Sequence, residues 1–258
     1  MVRSAIGRVV RKILDKLGFF LIRKEYRPYG ISVFNDIARI TKVWKLNVAQ
    51  IIDVGANIGQ FAVDAHKHFP AAKVHSFEPH PTSFAQLQDR HLGNWLIPVH
   101  CAVGEIRGDT TMFVYGDGSD ASKLNSLVRN AGFAVRAGLT PTKIQVECTT
   151  LDEYCASQGV EHIQLLKIDT QGTDISVLRG SRRLLEAGRV AFIYVEFNNL
   201  FPKAAVDGGA LLPIADYLSQ FGYECLLTYT DYLILEPPLF KVCNALFVLP
   251  RDKSWKRP

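Results

Sequence analysis

Four acids and two glycines are placed where a strand gives way to a loop. Asp53 falls near the end of "QIIDV", and Gly55 and Gly59 follow at once in "DVGANIGQ". Glu78 comes just after another apolar stretch in "HSFEP", Asp169 ends "IQLLKID", and Glu196 stands near the end of "VAFIYVEF". A carboxylate at such a position can accept hydrogen bonds from ligand hydroxyl or ammonium groups, serve as a general base, or ligate a hard cation. A glycine there lets the backbone turn sharply and come close to a ligand or to a packed helix. The free N–H groups that open the following helix favour a carboxylate or a phosphate.

Which ligand those groups suit can be narrowed by spacing. A dinucleotide turn needs G-x-G-x-x-G, but Asn57 and Gln60 occupy positions where that pattern wants glycine, and no P-loop stretch occurs. Asp53 suits an ammonium group, and Glu78 can accept from both hydroxyls of a ribose. Ammonium, carboxylate and ribose together describe S-adenosylmethionine. The expected cofactor contacts are Asp53, Gly55, Ala56, Asn57, Gly59 and Gln60, with Glu78 and Pro79 from the second strand end. Asp169 and Glu196 are the expected catalytic pair, and Asp169 could equally hold the methionine end of the cofactor. Two carboxylates on neighbouring strand ends could share a divalent cation that lowers the pKa of a bound hydroxyl, though no histidine or third acid joins them. A glycine turn that merely permits tight packing is the structural alternative. An NAD-dependent oxidoreductase and a non-catalytic binding module are the functional ones.

The elements that would carry these residues alternate. Apolar runs at "QIIDV", "KVHSF", "WLIPVHCAV", "IQLLKI" and "VAFIYVEF" are separated by helical patterns, and two last strands lie in "YECLLTYT" and "NALFVL". Continuous apolar strands between helices predict an α/β fold, a doubly wound and mainly parallel sheet covered on both faces. The last pair, joined without a helix, predicts an antiparallel hairpin at one end. "TLDEYCASQG" opens with a capping box of Thr150 and Glu153, and "DISVLRGSRRLLEA" reads as one helix. "TTMFVY" and "KIQVECTTL" flank an irregular insertion at about 116–141, where Lys123, Asn125, Ser126 and Arg129 could hydrogen-bond a hydroxyl-rich acceptor. The division expected is an N-terminal helical extension, 1–49, followed by one domain, 50–258.

Composition bounds the partners. The 258 residues are 48% hydrophobic and 21% charged with net charge +5, ordinary for a globular protein and too little basic excess for a dedicated nucleic-acid binder. Much of the excess lies in residues 1–24, where Ile6, Val9, Val10, Ile13, Leu14 and Leu17 recur at helical spacing opposite basic residues. Such a helix can dock on its own domain, rest peripherally on an anionic membrane surface, or form an oligomer contact. No apolar run reaches the roughly 20 residues that span a bilayer. Five cysteines without a C-x-x-C pair read as buried thiols in a reducing compartment, so the cytoplasm is expected.

Taken in order, "IIDVGANIGQF", "FEPHP", "CAVGE", "TTLDEY", "LLKIDTQGTDISVLRG" and "IYVEFNN" resemble the successive motifs of the FkbM-type methyltransferases, over about Ile51 to Leu249. The resemblance implies a class I S-adenosylmethionine-dependent enzyme with a seven-stranded sheet, methylating a hydroxyl of a sugar, glycan or secondary metabolite. It also places the adenine beside Ala102. One departure stands out: after "DTQG" members commonly carry Glu at the second of the positions held here by Thr173 and Asp174, and Asp174 keeps the charge on a shorter side chain.

Overall fold

Ile51 and Ile52 are both fully buried although successive residues of a strand point to opposite faces, so the sheet that holds them is covered on both sides. The computed structural model describes residues 13, 14, 16, 17, 27–90, 93–115, 125–129, 140–200, 209–235 and 240–250. Its strands are β1 (Gln50–Val54), β2 (Lys73–Phe77), β3 (Leu96–Val99), β4 (Ala102–Val103), β5 (Gly108–Val114), β6 (Thr142–Thr149), β7 (Ile163–Ile168), β8 (Val190–Phe197), β9 (Glu224–Ile234) and β10 (Phe240–Val248). Seven of them form one sheet in the order β3-β2-β1-β7-β8-β10-β9. All neighbours from β3 to β8 pair parallel, and β10 runs antiparallel to both β8 and β9. This is the doubly wound, mainly parallel seven-stranded sheet with an antiparallel C-terminal pair that the sequence predicts.

The helices divide between the two faces. α1 (Val33–Trp44) and α2 (Gln60–His68) bury Val33, Ile37, Ala62 and Ala65 in a cluster with Ile51, Leu165 and Phe192. On the other face, α4 (Leu151–Gln158), α5 (Asp174–Arg179), α6 (Arg182–Glu186) and α7 (Leu211–Ser219) pack Leu151, Val177, Leu184 and Ile214 around Ile52, Leu166 and Ile193. α3 (Pro81–Asp89) follows β2 and buries Leu87. Thr150 Oγ1 accepts from Glu153 N at 3.1 Å, which is the Thr150 half of the capping box expected for α4. α1 belongs to the stretch expected as an N-terminal extension, yet it is tied into the core: its buried Asp36 accepts from the Tyr229 hydroxyl at 3.1 Å and from Gly30 N at 2.8 Å.

Two elements and the burial of the cysteines depart from the sequence reading. "WLIPVHCAV" is not one strand. It breaks at His100 and Cys101, and its second part, β4, joins a separate three-stranded sheet, β4-β6-β5, by pairing Ala102 with Cys148. "DISVLRGSRRLLEA" is two short helices: the first ends at Gly180, where a Cβ would stand 2.0 Å from the Gly104 carbonyl oxygen, and Asp152 caps a fresh start at Arg183 N and Leu184 N (2.9 and 3.0 Å). All five cysteines are free thiols, as read, but Cys225 is exposed on β9 and Cys101 is half-buried. The basic stretch 1–24, and with it the membrane contact, lies outside the described residues apart from Ile13, Leu14, Lys16 and Leu17. Among the described residues no helix is long and apolar enough to cross a membrane.

Candidate functional site

Strand order reverses between β1 and β7, and in a doubly wound sheet the crevice beyond the carboxyl ends at that point is where ligands bind. The turn after β1 is built around close approaches. Gly55 has φ +76°, and a Cβ there would stand 1.9 Å from the Asp169 carbonyl oxygen. What Gly55 makes room for is therefore the chain's own backbone, since Asp169 N also donates to Val54 O at 3.1 Å. Gly59, with φ +80°, would bring a Cβ to 2.5 Å from Leu87 Cδ1, so it serves packing against α3 and not against the strand. Between them Asn57 takes φ +48° and donates its backbone N–H to Glu78 Oε2 at 2.8 Å. His80 N donates to the other oxygen, Oε1, at 2.9 Å. Glu78 is thus held from both sides at the end of β2. Its burial pushes its pKa up to about 7, against the two backbone donors, which lower it.

Asp53 meets an ammonium, but one belonging to this chain. Its carboxylate is fully buried and Oδ1 lies 3.1 Å from Lys167 Nζ, its partner residue across the β1–β7 pair. Neither Asp53 oxygen receives a well-aligned hydrogen bond, so the attraction is one of charge. Lys167 spends its hydrogen bonds on backbone carbonyls instead, donating to Gly55 O at 2.8 Å and Val54 O at 3.4 Å, while Asp169 Oδ2 lies 3.5 Å away. Burial alone would discharge the lysine, but Asp53 and Asp169 together outweigh it and hold its pKa above the usual value. Burial raises the Asp53 pKa, and Lys167 opposes that shift. Sequence reasoning missed Lys167, although a lysine inside a continuous apolar strand is itself a signal, because a buried charge needs a partner.

The two acids expected to act together are brought together by a third residue. Gln171 Nε2 donates to Asp169 Oδ1 at 2.8 Å and to Glu196 Oε1 at 3.1 Å. Burial, then the charges of Asp169 and Asp174, push the Glu196 pKa well above the usual carboxylate range, which favours its protonated form. Asp174 is buried behind them, accepts from Thr170 N at 3.1 Å, and is likewise raised by burial. Beyond Glu196, Asn244 on β10 hydrogen-bonds Asp231 on β9.

These groups open on one cleft of about 800 Å³, within the roughly 300–1,000 Å³ usual for small-molecule sites. On its β2–β3 side the walls are Glu78, Pro79, Cys101 and Ala102; on its β8–β10 side they are Tyr194, Glu196 and Asn244. Gly55, Ala56, Asn57 and Gln60 of the turn line it between, with Lys167 and Asp169. Asp53 and Gly59 stand behind the walls and do not face it. Of the insertion, Asn125, Ser126 and Leu127 line the cleft; Lys123 lies outside the described residues. His100 lies beside the cleft wall, stacked on Phe84 at 4.4 Å. Among the described residues no group of three or more His, Cys, Asp or Glu side chains is placed to hold a metal ion.

Known proteins resemble this chain in sequence. The chain is 34% identical over 172 residues to 31-O-demethyl-FK506 methyltransferase FkbM of Streptomyces tacrolimicus, covering 58% of this chain and 66% of that one. It is 24% identical over 146 residues to Methyltransferase 1 of Beauveria bassiana, covering 50% and 57%. It is 27% identical over 185 residues to 2-O-methyltransferase NoeI of Sinorhizobium fredii, covering 66% and 74%. The chain spans less than two thirds of the length of the first two relatives. Residues 53–225, well over half of the chain, match the model of the methyltransferase FkbM domain, and the protein belongs to that family.

Proposed function

We propose that the protein transfers the methyl group of S-adenosylmethionine to a hydroxyl oxygen of a sugar, glycan or secondary metabolite. The observation that carries this is the fixed carboxylate of Glu78 beside the glycine turn: both its oxygens are oriented by backbone N–H groups at the edge of a cleft large enough for a nucleoside joined to an amino acid. Two relatives bear names that specify an O-methyl position, which supports oxygen as the accepting atom. The cofactor, when bound, supplies a methyl group already activated on a sulfonium.

The chain's own residues then have three tasks. Glu78 accepts hydrogen bonds from the ribose hydroxyls, with Pro79 and Ala102 beside the base. The Gly55–Gln60 turn receives the amino-acid end. Asp169, partly exposed at the centre of the cleft, takes the hydroxyl proton of the acceptor. Glu196 in its neutral form keeps a second negative charge away from that carboxylate and can donate a hydrogen bond to the acceptor. Asp53 acts behind the site by holding Lys167. The acceptor is identified by incubating the protein with labelled S-adenosylmethionine and fractionated glycans and metabolites, and finding which fraction gains the label. A full set of fractions that stays unlabelled defeats the reading.

Glu78 makes cofactor affinity depend on pH. Ribose hydroxyls donate to the ionised carboxylate, and Glu78 takes up a proton as pH falls through about 7. Affinity for S-adenosylmethionine is therefore greatest above pH 7 and lost below it. Calorimetry from pH 6 to 8 measures this, and Glu78→Gln removes this component of the slope. At pH 8 that variant binds about 10-fold or more weakly, since hydrogen bonds to a charged group contribute about 1.5–3 kcal/mol. Equal affinity and equal slope in the two proteins would exclude Glu78 from the site.

A further inference from the structure

We infer that Ser126, from the insertion between β5 and β6, is the positioning residue that holds Gln171 between Asp169 and Glu196. Ser126 is 2% exposed, and its backbone exchanges two hydrogen bonds with Phe113 of β5 (3.1 and 2.8 Å), which seats it on the small sheet. Its hydroxyl donates across the cleft wall to Gln171 O at 2.8 Å, with Thr170 O at 3.3 Å, and accepts from Val128 N at 3.1 Å. On either side Asn125 Oδ1 accepts from Tyr115 N at 2.8 Å, and Leu127 packs against the cluster containing Met112. The segment is fixed at three successive residues.

Gln171 needs such a fixture. Its φ is +55°, the left-handed region that side chains other than glycine and asparagine seldom adopt, and such a conformation persists only where the surroundings enforce it. The turn so held aims one amide nitrogen at two carboxyl groups, 2.8 Å from Asp169 and 3.1 Å from Glu196. One NH₂ group has two hydrogens, and both acids use the same nitrogen, so the separation of the acids is set by where Gln171 stands. Ser126 sets where Gln171 stands. An insertion outside the main sheet thereby governs the geometry of the acids that face the acceptor. The catalytic consequence rests on the methyl-transfer reading above; the tie itself does not.

The test uses ¹⁵N-labelled full-length protein. The side-chain amide signal of Gln171 is identified by its loss in Gln171→Glu. In Ser126→Ala that signal moves toward the position of a solvated glutamine amide and exchanges faster with water, while Ser126→Thr, which keeps a hydroxyl, leaves it in place. With an acceptor found, Ser126→Ala slows transfer about 10-fold at saturating cofactor, as misplacement of reacting groups does, and changes the Kd for S-adenosylmethionine by less than twofold. Thermal melts of both variants exclude general unfolding. An unmoved amide signal in folded Ser126→Ala overturns the inference, and so does a displaced signal with wild-type turnover. If the wild type neither binds S-adenosylmethionine nor methylates any fraction, the functional reading falls and the amide signal alone decides the tie.

Discussion

Replacing Lys167 by methionine lowers stability by about 3–5 kcal/mol, the usual cost of leaving one partner of a buried ion pair behind. The side chain is nearly isosteric, so packing within the strand survives; what is lost is the ammonium, with its approach to Asp53 and to the Phe61 ring. Asp53 is fully buried and none of its oxygens has a well-aligned donor, so no neighbouring group takes over. The remaining escape is protonation, and burial already favours it. A carboxylate raised above its unfolded value binds its proton more tightly in the folded state, so the deficit of Lys167→Met shrinks as pH falls and grows as pH rises. Urea denaturation at pH 5 and pH 8 measures both. Adding Asp53→Leu removes the stranded charge and restores most of the stability at pH 8. The double variant still lacks the ammonium beside Asp169 and the bond to Gly55 O, so its cofactor affinity does not recover with its stability. A loss below about 1 kcal/mol in the single variant would show that the pair is not the buried constraint described.

Asp169→Asn reduces turnover by about 10²-fold or more while cofactor affinity changes little. Asparagine keeps the size and an oxygen for Gln171, but it cannot accept a proton at neutral pH. Glu196 does not take over, because burial still raises its pKa once the Asp169 charge is gone. If Asp169 instead only anchored the cofactor, affinity would fall and saturating S-adenosylmethionine would restore the rate. A chelator tests the cation expected from the acid pair: loss of activity recovered with Mg²⁺ would assign it, and indifference fits Asp169 as the base. Wild-type turnover in both Asp169→Asn and Glu196→Gln would move the chemistry to the insertion side of the cleft.

The parts of this molecule that depend on neighbours in sequence were legible. Apolar runs gave the strands of the main sheet, Thr150 marked the start of α4, and Gly55 with Glu78 marked the crevice. Contacts between distant segments were not. Asp53 reads as a ligand anchor until the register of β1 on β7 places Lys167 beside it. "WLIPVHCAV" reads as one strand because apolarity does not say which sheet a strand enters; that depends on Cys148 and Thr149, far along the chain. Gln171 carries no mark of its role, which follows from a backbone angle and from Ser126. Gly55 reads as a close approach to a ligand, and the group that its missing side chain admits is the Asp169 backbone.

The hydrogen bond from Tyr229 to Asp36 spans 193 residues, and it has a consequence for the order of folding. α1 is made well before β9 and β10 and carries an apolar stripe of Val33, Ile37 and Ile40, but the surface that covers it includes Tyr229 of β9 and Leu246 of β10. Contacts so far apart carry the highest chain-closure entropy and form late. Until β9 and β10 are made and paired, the stripe and the buried Asp36 have no complete seat. Translation stopped before Tyr229 therefore leaves a nascent chain in which α1 is still unsatisfied, a species prone to self-association and a natural client for chaperones.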